Sequence, residues 1–401
     1  MTRVNGGMLR EWRRSRGWDV PELARRLRRA ARGRVAAHDG LIRMIYAWER
    51  GDHEISERYG LLFRSLGFDP GHPARADDPA SVETLPAARG TVSQSRLEAL
   101  SAAQLEELIG LLDDQWHALV RTDNLLGPRH ALGGVRAQLG VIDSLLRSVR
   151  PPVRYRVLQL GAKYAESAAW LHEDSGDMRG ARYWTGRSMD CALEAGDRLM
   201  MSWVLYRRGE HAVADGDAAA VAGLAAAARR EGGDLPDPML AAILQQEAHA
   251  YALDGDEAAS QAALDRAHEQ AASPDDPGDA SNGHGSFCTS AYVEMQRGRC
   301  WLRLGQPGKA RPVLESAIRF LPPVYRRDRG VALSALATAF AGIGEPAEAA
   351  EAAAQALGVA RDAGSERIVS MVIPVGTALA RYRGIEAVTR LREALAEPSG
   401  T

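Results

Sequence analysis

The sequence predicts an all-α chain: a small helical head followed by a body of repeated helix pairs. Three observations predict it. In the first 70 residues, apolar side chains recur at helical spacing between capping residues. From about residue 155 a helix-breaking glycine returns at intervals near 40 residues, the mark of stacked supersecondary units. Charge divides along the same line: residues 1–70 carry 15 arginines and nine acids, a net of +6, against −2 for the whole chain, so residues 71–401 carry −8. A basic head on an acidic body is the electrostatic footprint of a nucleic-acid-binding domain joined to something else.

Composition bounds the class. The chain has 401 residues, 45% hydrophobic and 25% charged, ordinary for a globular protein of about two or three domains. No apolar run approaches a membrane span. The opening "MTRVNGGMLREW" lacks the apolar core of a signal peptide. Cys191, Cys288 and Cys300 are odd in number and widely spaced, which argues against a disulfide frame or zinc ribbon and for a reducing, cytoplasmic compartment. Lysine occurs only at Lys163 and Lys309, and with the heavy alanine content this suggests a GC-rich, bacterial coding sequence.

The head reads as four short helices. "GMLREWRRSRG" (7–17) places Met8, Leu9 and Trp12 on one face and stops at Gly17. "WDVPELARRLRRAAR" (18–32) opens with Asp19 as N-cap, Pro21 in the first turn and Glu22 three residues after the cap. Its buried stripe is Val20, Leu23, Ala24 and Leu27. A third helix, 40–50, is capped by Asp39 and ended by Gly51. Leu41, Ile45 and Trp48 fall at i, i+4 and i+7 and face the core. Ile42, Arg43, Tyr46, Ala47 and Arg50 occupy the opposite face. A fourth helix, 56–67, covers the cluster with Leu62, Phe63 and Leu66.

Together, "LREWRRSRGWDVPELARRL", "LIRMIYAWERG" and "ERYGLLFRSLG" resemble the helix-turn-helix domains of Xre/Cro/C1-type repressors in their actinomycete form, over residues 8–68. The resemblance implies that the helix ending in Trp-Glu-Arg-Gly enters the DNA major groove. It makes Arg43 the candidate for a guanine contact and Ile42 for packing on a thymine methyl. Tyr46 and Arg50 are assigned to phosphate or sugar. Arg13, Arg14 and Arg16, or Arg25 and Arg26, supply backbone contacts. Two departures stand out. The link between the second and third helices, "RRAARGRVAAHDG", is longer and more basic than the family's tight turn. Ala47 stands where the family often carries a polar contact.

Residues 71–100, rich in Pro, Asp and Ser, read as a linker, and 101–150 as a helical connector or degenerate repeat around Gly127. In the body the marking glycines are Gly176, Gly216, Gly255, Gly305, Gly344 and Gly384, most followed by an acidic or polar residue. The longest interval, 50 residues, contains a loop insertion, "SPDDPGDASNGHG" (273–285). Small residues recur seven before each glycine and twelve after it, and aromatics often four before. This pattern resembles tetratricopeptide (TPR) repeats over 155–397. The fold implied is an all-α chain, a helix-turn-helix domain followed by a TPR-like α-solenoid, with 151–401 as sensor or interaction domain.

In such solenoids the first helix of each pair lines the concave side. The family's inward positions fall on Lys163, Glu166 and Trp170; Trp203, Tyr206 and Glu210; Ala242, Gln245 and His249; and Tyr292, Met295 and Arg299. Aromatic area, amides and charges of both signs suit a peptide or polar small ligand.

Catalysis finds little support. There is no phosphate loop and no HExxH, "HEDSGD" (172–177) reads as a helix end and the next cap, and neither a metal nor a cofactor is expected. The leading expectation is a cytoplasmic transcription regulator, not an enzyme. It binds a double-stranded DNA operator as a homodimer and senses a ligand in the TPR groove, a plan similar to the peptide-sensing quorum regulators of Gram-positive bacteria. The alternative is a TPR adaptor acting mainly through protein–protein contacts.

Overall fold

The computed structural model describes residues 9–10, 12–13, 18–30, 36–53, 55–56, 59, 62–63, 94–272 and 284–396. Among these there are 17 helices and no strand; residues 1–90 and 91–401 form two compact units.

In the first unit, α1 (Val20–Ala30) and α2 (His38–Arg50) hold the centre. Asp19 caps α1 as its position predicts, its Oδ1 accepting from the Glu22 N–H at 2.6 Å. The expected Asp39 cap is displaced. The helix starts two residues earlier, at His38, with Ala37 at the N-cap and no side-chain cap bond. Asp39 sits instead in the first turn, where its charge still favours the helix dipole. Gly51 ends α2 at φ 79°, a left-handed conformation open to glycine. The predicted stripes are buried: Val20, Leu23, Ala24 and Leu27 meet Leu41, Ile45 and Trp48, with Leu9, Trp12 and Phe63. Trp48 and Phe63 pack edge to face at 5.6 Å. Most of the helices expected at 7–17 and 56–67, and the 31–35 link, lie outside the described residues.

The second unit begins with a short helix, α3 (Gln94–Glu98), whose Leu97 is buried. The segment expected as linker therefore does not stay linker up to residue 100; residues 71–93 lie outside the described set. A hairpin follows, α4 (Ala102–Leu126) and α5 (Pro128–Ser148), hinged at Gly127. Six pairs then succeed one another: α6 (Val153–Asp174) with α7 (Met178–Ala195), α8 (Arg198–Asp215) with α9 (Ala218–Gly232), and α10 (Asp237–Leu253) with α11 (Glu257–Glu269). After the insertion come α12 (Ser290–Arg303) with α13 (Pro307–Phe320), α14 (Arg326–Ile343) with α15 (Pro346–Ala363), and α16 (Glu366–Leu379) with α17 (Glu386–Ala396).

Each recurring glycine sits at the turn inside a pair, and for five of the six the residue after it or the next one starts the second helix in one of two ways. After Gly176, Gly216 and Gly255, an aspartate accepts from the N–H three residues on: Asp177 from Gly180 (3.0 Å), Asp217 from Ala220 (3.0 Å) and Asp256 from Ala259 (2.9 Å). After Gly305 and Gly344, Pro307 and Pro346 open the helix at a position whose N–H would be unpaired anyway. The small residues seven before the glycine let the helices close up. At Gly298 a Cβ would stand 2.4 Å from Leu314 Cγ. One continuous apolar core runs through the pairs, and a second joins α4 and α5 to α6.

The stack closes on itself. Asp174, at the end of α6 and fully buried, receives Ser365 Oγ (2.7 Å), Arg367 Nε (3.1 Å) and Arg327 Nε (3.0 Å) from the last pairs. Asp123, near the end of α4, receives two Arg327 nitrogens at 2.7 and 2.8 Å. The turn at Gly127 (φ 91°) rests on the end of α15, where a Cβ would lie 2.6 Å from the Ala363 carbonyl oxygen. The open concave groove expected from the sequence is thus a ring around a chamber.

Candidate functional site

On α2 of the head, Arg43, Tyr46 and Arg50 are exposed and Ile42 is half-buried. Among the described residues Arg50 pairs only with exposed Asp52, at 2.7 Å, a contact weak enough to be exchanged for a phosphate. Arg25 is exposed and donates to Glu22 at 2.9 Å. Arg26 shares Glu22 and lies 4.2 Å over the Trp18 ring. Arg13 is a correction to the sequence reading. It is buried, its Nε and Nη2 donate to the two oxygens of buried Glu49 at 2.6 and 3.1 Å, and its Nη1 donates to the Trp18 carbonyl. It ties the head together and does not face a partner. Arg14 and Arg16 lie outside the described residues.

In the second unit the ring encloses a cavity of about 630 Å³. From α6 it is lined by Lys163, Glu166 and Trp170, and from α8 by Trp203, Tyr206, Arg207 and Glu210. The closing side supplies Trp116 and Asp123 of α4, Arg327 and Asp328 of α14 and Arg367 of α16. His284 to Phe287, the end of the insertion, and Tyr292 complete the wall.

Two poles differ in how well their charges are matched. At one, Trp170 donates to Asp123 at 3.2 Å, with the guanidiniums of Arg367, Arg207 and Arg327 at 5.0, 5.4 and 6.0 Å from its ring. There Asp123 and Asp174 face Arg327 and Arg367, two charges against two. At the other, Arg207 faces three glutamates, Glu173 at 2.6 Å, Glu166 at 3.4 Å and Glu210 at 3.7 Å, with His211 3.4 Å from Glu173 and Gln246 donating to Glu210 at 2.7 Å. Burial alone raises Glu173; Arg207, His211 and Arg367 outweigh it and hold its carboxyl down to about 2. Glu166 has no such surplus of cations, and burial pushes it up. Burial also pushes Asp328 up to about 6, against Arg367 and Arg327 and aided by Glu210 and Asp174.

Seven of the twelve inward positions predicted from the repeat line this cavity: Lys163, Glu166, Trp170, Trp203, Tyr206, Glu210 and Tyr292. Five do not. Ala242, Gln245, His249 and Met295 are sealed in the interior, and half-buried Arg299 donates to Gln296 at 2.9 Å off the chamber wall. For His249 the cause is α12, whose Gln296 and Cys300 pack against it. The returning end of the insertion folds against the start of α10, where a Cβ on Gly285 (φ 90°) would stand 2.6 Å from the Met239 nitrogen. Phe287 packs edge to face with Tyr292 at 4.8 Å, and His284 stacks on Trp203 at 4.9 Å, beside the Trp203–Tyr206 stack at 4.8 Å. His249 bonds Gln296 at 2.9 Å and contacts Cys300 Sγ at 3.3 Å; burial keeps its ring neutral. Gly285→Ala should therefore strain the turn and push the returning end off α10. We expect a stability loss of about 1–3 kcal/mol in urea unfolding; an unchanged midpoint would show that the loop does not need this seat.

Sequence reasoning missed Asp123, Arg207, Arg327, Asp328 and Arg367. Arg207 lies one residue from Tyr206 and was available in the repeat register; the others depend on ring closure. No group of His, Cys, Asp and Glu suited to hold a metal occurs among the described residues. No described helix is long and apolar enough to cross a membrane. Comparison with protein-family models and with curated proteins gives no match.

Proposed function

We propose that this chain is a DNA-binding transcription regulator whose repeat body takes a compact ligand in the ring chamber and binds its operator as a homodimer. The observation that carries the reading is the exposed stripe of Arg43, Tyr46 and Arg50 on a capped helix in a head of net charge +6. That combination offers base-edge donors and phosphate contacts on one face. The chamber supports the sensing half. Its volume of about 630 Å³ falls within the roughly 300–1,000 Å³ of small-molecule sites and favours a compact ligand over a long extended peptide.

The test is operator selection from random duplexes, followed by titration at several salt concentrations. A regulator selects a defined site and loses affinity steeply as salt rises. Arg43→Ala should cost about 1–3 kcal/mol at that site and relax preference at one base pair. Uniform, sequence-indifferent binding by the wild type would remove the reading and leave the adaptor alternative. A ligand acting through the chamber changes operator affinity by the same factor that DNA changes ligand affinity.

A further inference from the structure

The chamber's charge pattern identifies the kind of molecule it would hold. At the unmatched pole, Glu166, Glu210 and Asp328 reach the wall with Glu173 just behind; Arg207 is the guanidinium that pairs with the glutamates, Gln246 donates to Glu210 at 2.7 Å, and Arg367 and Arg327 act on Asp328 without pairing with it. Arg299 and Arg303 act on Tyr292 and Glu210 from nearby but do not line the chamber. Asp328 has no hydrogen bond or ion pair with any described residue.

A second observation comes from the tyrosines. Tyr206 and Tyr292 line the same pole and are only 2% and 5% exposed. Neither hydroxyl has a hydrogen-bond partner among the described residues. Both sit beside Glu210, which pushes their ionisation upward together with burial, and Asp328 acts on Tyr292 as well. Buried phenols are normally hydrogen-bonded, and these two face carboxylates with acceptor capacity to spare. Three helices thus bring carboxylates with acceptor capacity beyond Arg207 and Gln246 to one place, walled by the rings of Trp203, Tyr206 and Tyr292.

We propose that this pole binds the protonated amine of an organic cation, its ammonium received by Asp328 and Glu210 with the Tyr206 and Tyr292 hydroxyls, and its apolar body lying against the aromatic wall. An ammonium offers three donors and no acceptor, the complement of this wall, and it neutralises the repulsion between the two carboxylates. An anion would meet both carboxylates, with Arg207 already engaged by Glu173 at 2.6 Å and Arg327 and Arg367 by Asp123 and Asp174. The inference rests on the sensing half of the regulator reading and names its ligand class.

The experiment titrates the full chain by calorimetry with tyramine and tryptamine, each against its carboxylate counterpart, 4-hydroxyphenylacetate and indole-3-acetate. The amines should bind and the acids should not. Asp328→Asn and Glu210→Gln should each weaken the amines at least about tenfold, the cost of losing a charge-assisted partner. Tyr292→Phe, which keeps the ring, should weaken them less. The exposed Glu393→Gln serves as control and should change nothing.

Affinity should also follow pH. Asp328 faces Arg367 and Arg327, Glu210, Asp174 and Tyr292, and burial pushes it up to about 6. Only its ionised form receives the amine, so binding strengthens as pH rises from 5 to 7 and weakens by up to about tenfold per unit below that point. No binding of either amine at 10 mM overturns the inference, as does a preference for the acids or an amine affinity indifferent to Asp328→Asn and Glu210→Gln. The operator titration keeps the two readings apart. Operator binding without amine binding overturns this inference alone, and amine binding without operator binding overturns the DNA-binding half alone.

Discussion

Asp174→Ala should destabilise the repeat body by about 3–5 kcal/mol, the largest effect expected of any single carboxylate in it. The side chain is fully buried and receives Arg327, Arg367 and Ser365 at 2.7–3.1 Å. Removing it leaves two guanidiniums facing each other in the closed ring without their shared counter-ion, and a desolvated charge without its partner costs far more than a pair contributes. Asp174→Asn should lose nearly as much, because the shape survives and the charge does not. The contrast is Asp215→Ala. Asp215 accepts from Arg182 at 2.7 and 2.8 Å, but both side chains are more than half exposed. Its loss should cost under about 1 kcal/mol. Urea unfolding of the full chain decides it. Equal midpoint shifts for the two alanine variants would mean that Asp174 does not fasten the ring.

The ring also marks the boundary of what the sequence could reveal. Helices and hinges were legible because their causes are local. A glycine that ends one helix and an aspartate that caps the next are neighbours in the chain, and the Gly-Asp and Gly-x-Pro spellings carry their own stop and start signals. The register that follows from them correctly put Trp170, Trp203, Tyr206 and Glu210 on the inner face. It failed at Gln245, His249 and Met295 for a physical reason. His249 packs against Gln296 and Cys300 of α12, 47 and 51 residues away, and the repeat register does not show these contacts. Ring closure was still less visible. Asp174 and Ser365 are 191 residues apart, Asp123 and Arg327 204, and no periodicity links them. Within "HEDSGD", Asp177 does cap the next helix as read. Asp174, three residues earlier, looks the same in sequence and has a different task.

The head poses the same problem on a smaller scale, and its test follows from it. Among fifteen arginines in residues 1–70, Arg13 reads as one more exposed cation. Glu49, 36 residues on, takes it out of that set with a buried two-pronged pair, and Arg10 adds a longer contact to the same carboxylate at 3.4 Å. Glu49→Ala should cost the head about 3–5 kcal/mol. A unit this small has little more than that in reserve, so the head should unfold while the body's transition stays in place. Arg13→Ala should do the same. Operator binding would vanish in both, although neither residue faces the outer stripe of α2. Had Arg13 been a phosphate contact, Arg13→Ala would leave a folded head with weaker, less salt-sensitive binding. The double replacement Arg13→Met with Glu49→Leu separates the two accounts further. With no stranded charge left, much of the lost stability should return, and operator binding with it. Tryptophan fluorescence from Trp12, Trp18 and Trp48, all within the head's aromatic cluster, follows the unfolding directly. A folded, stable Arg13→Ala head with impaired DNA binding would return Arg13 to the contact set and refute its structural role.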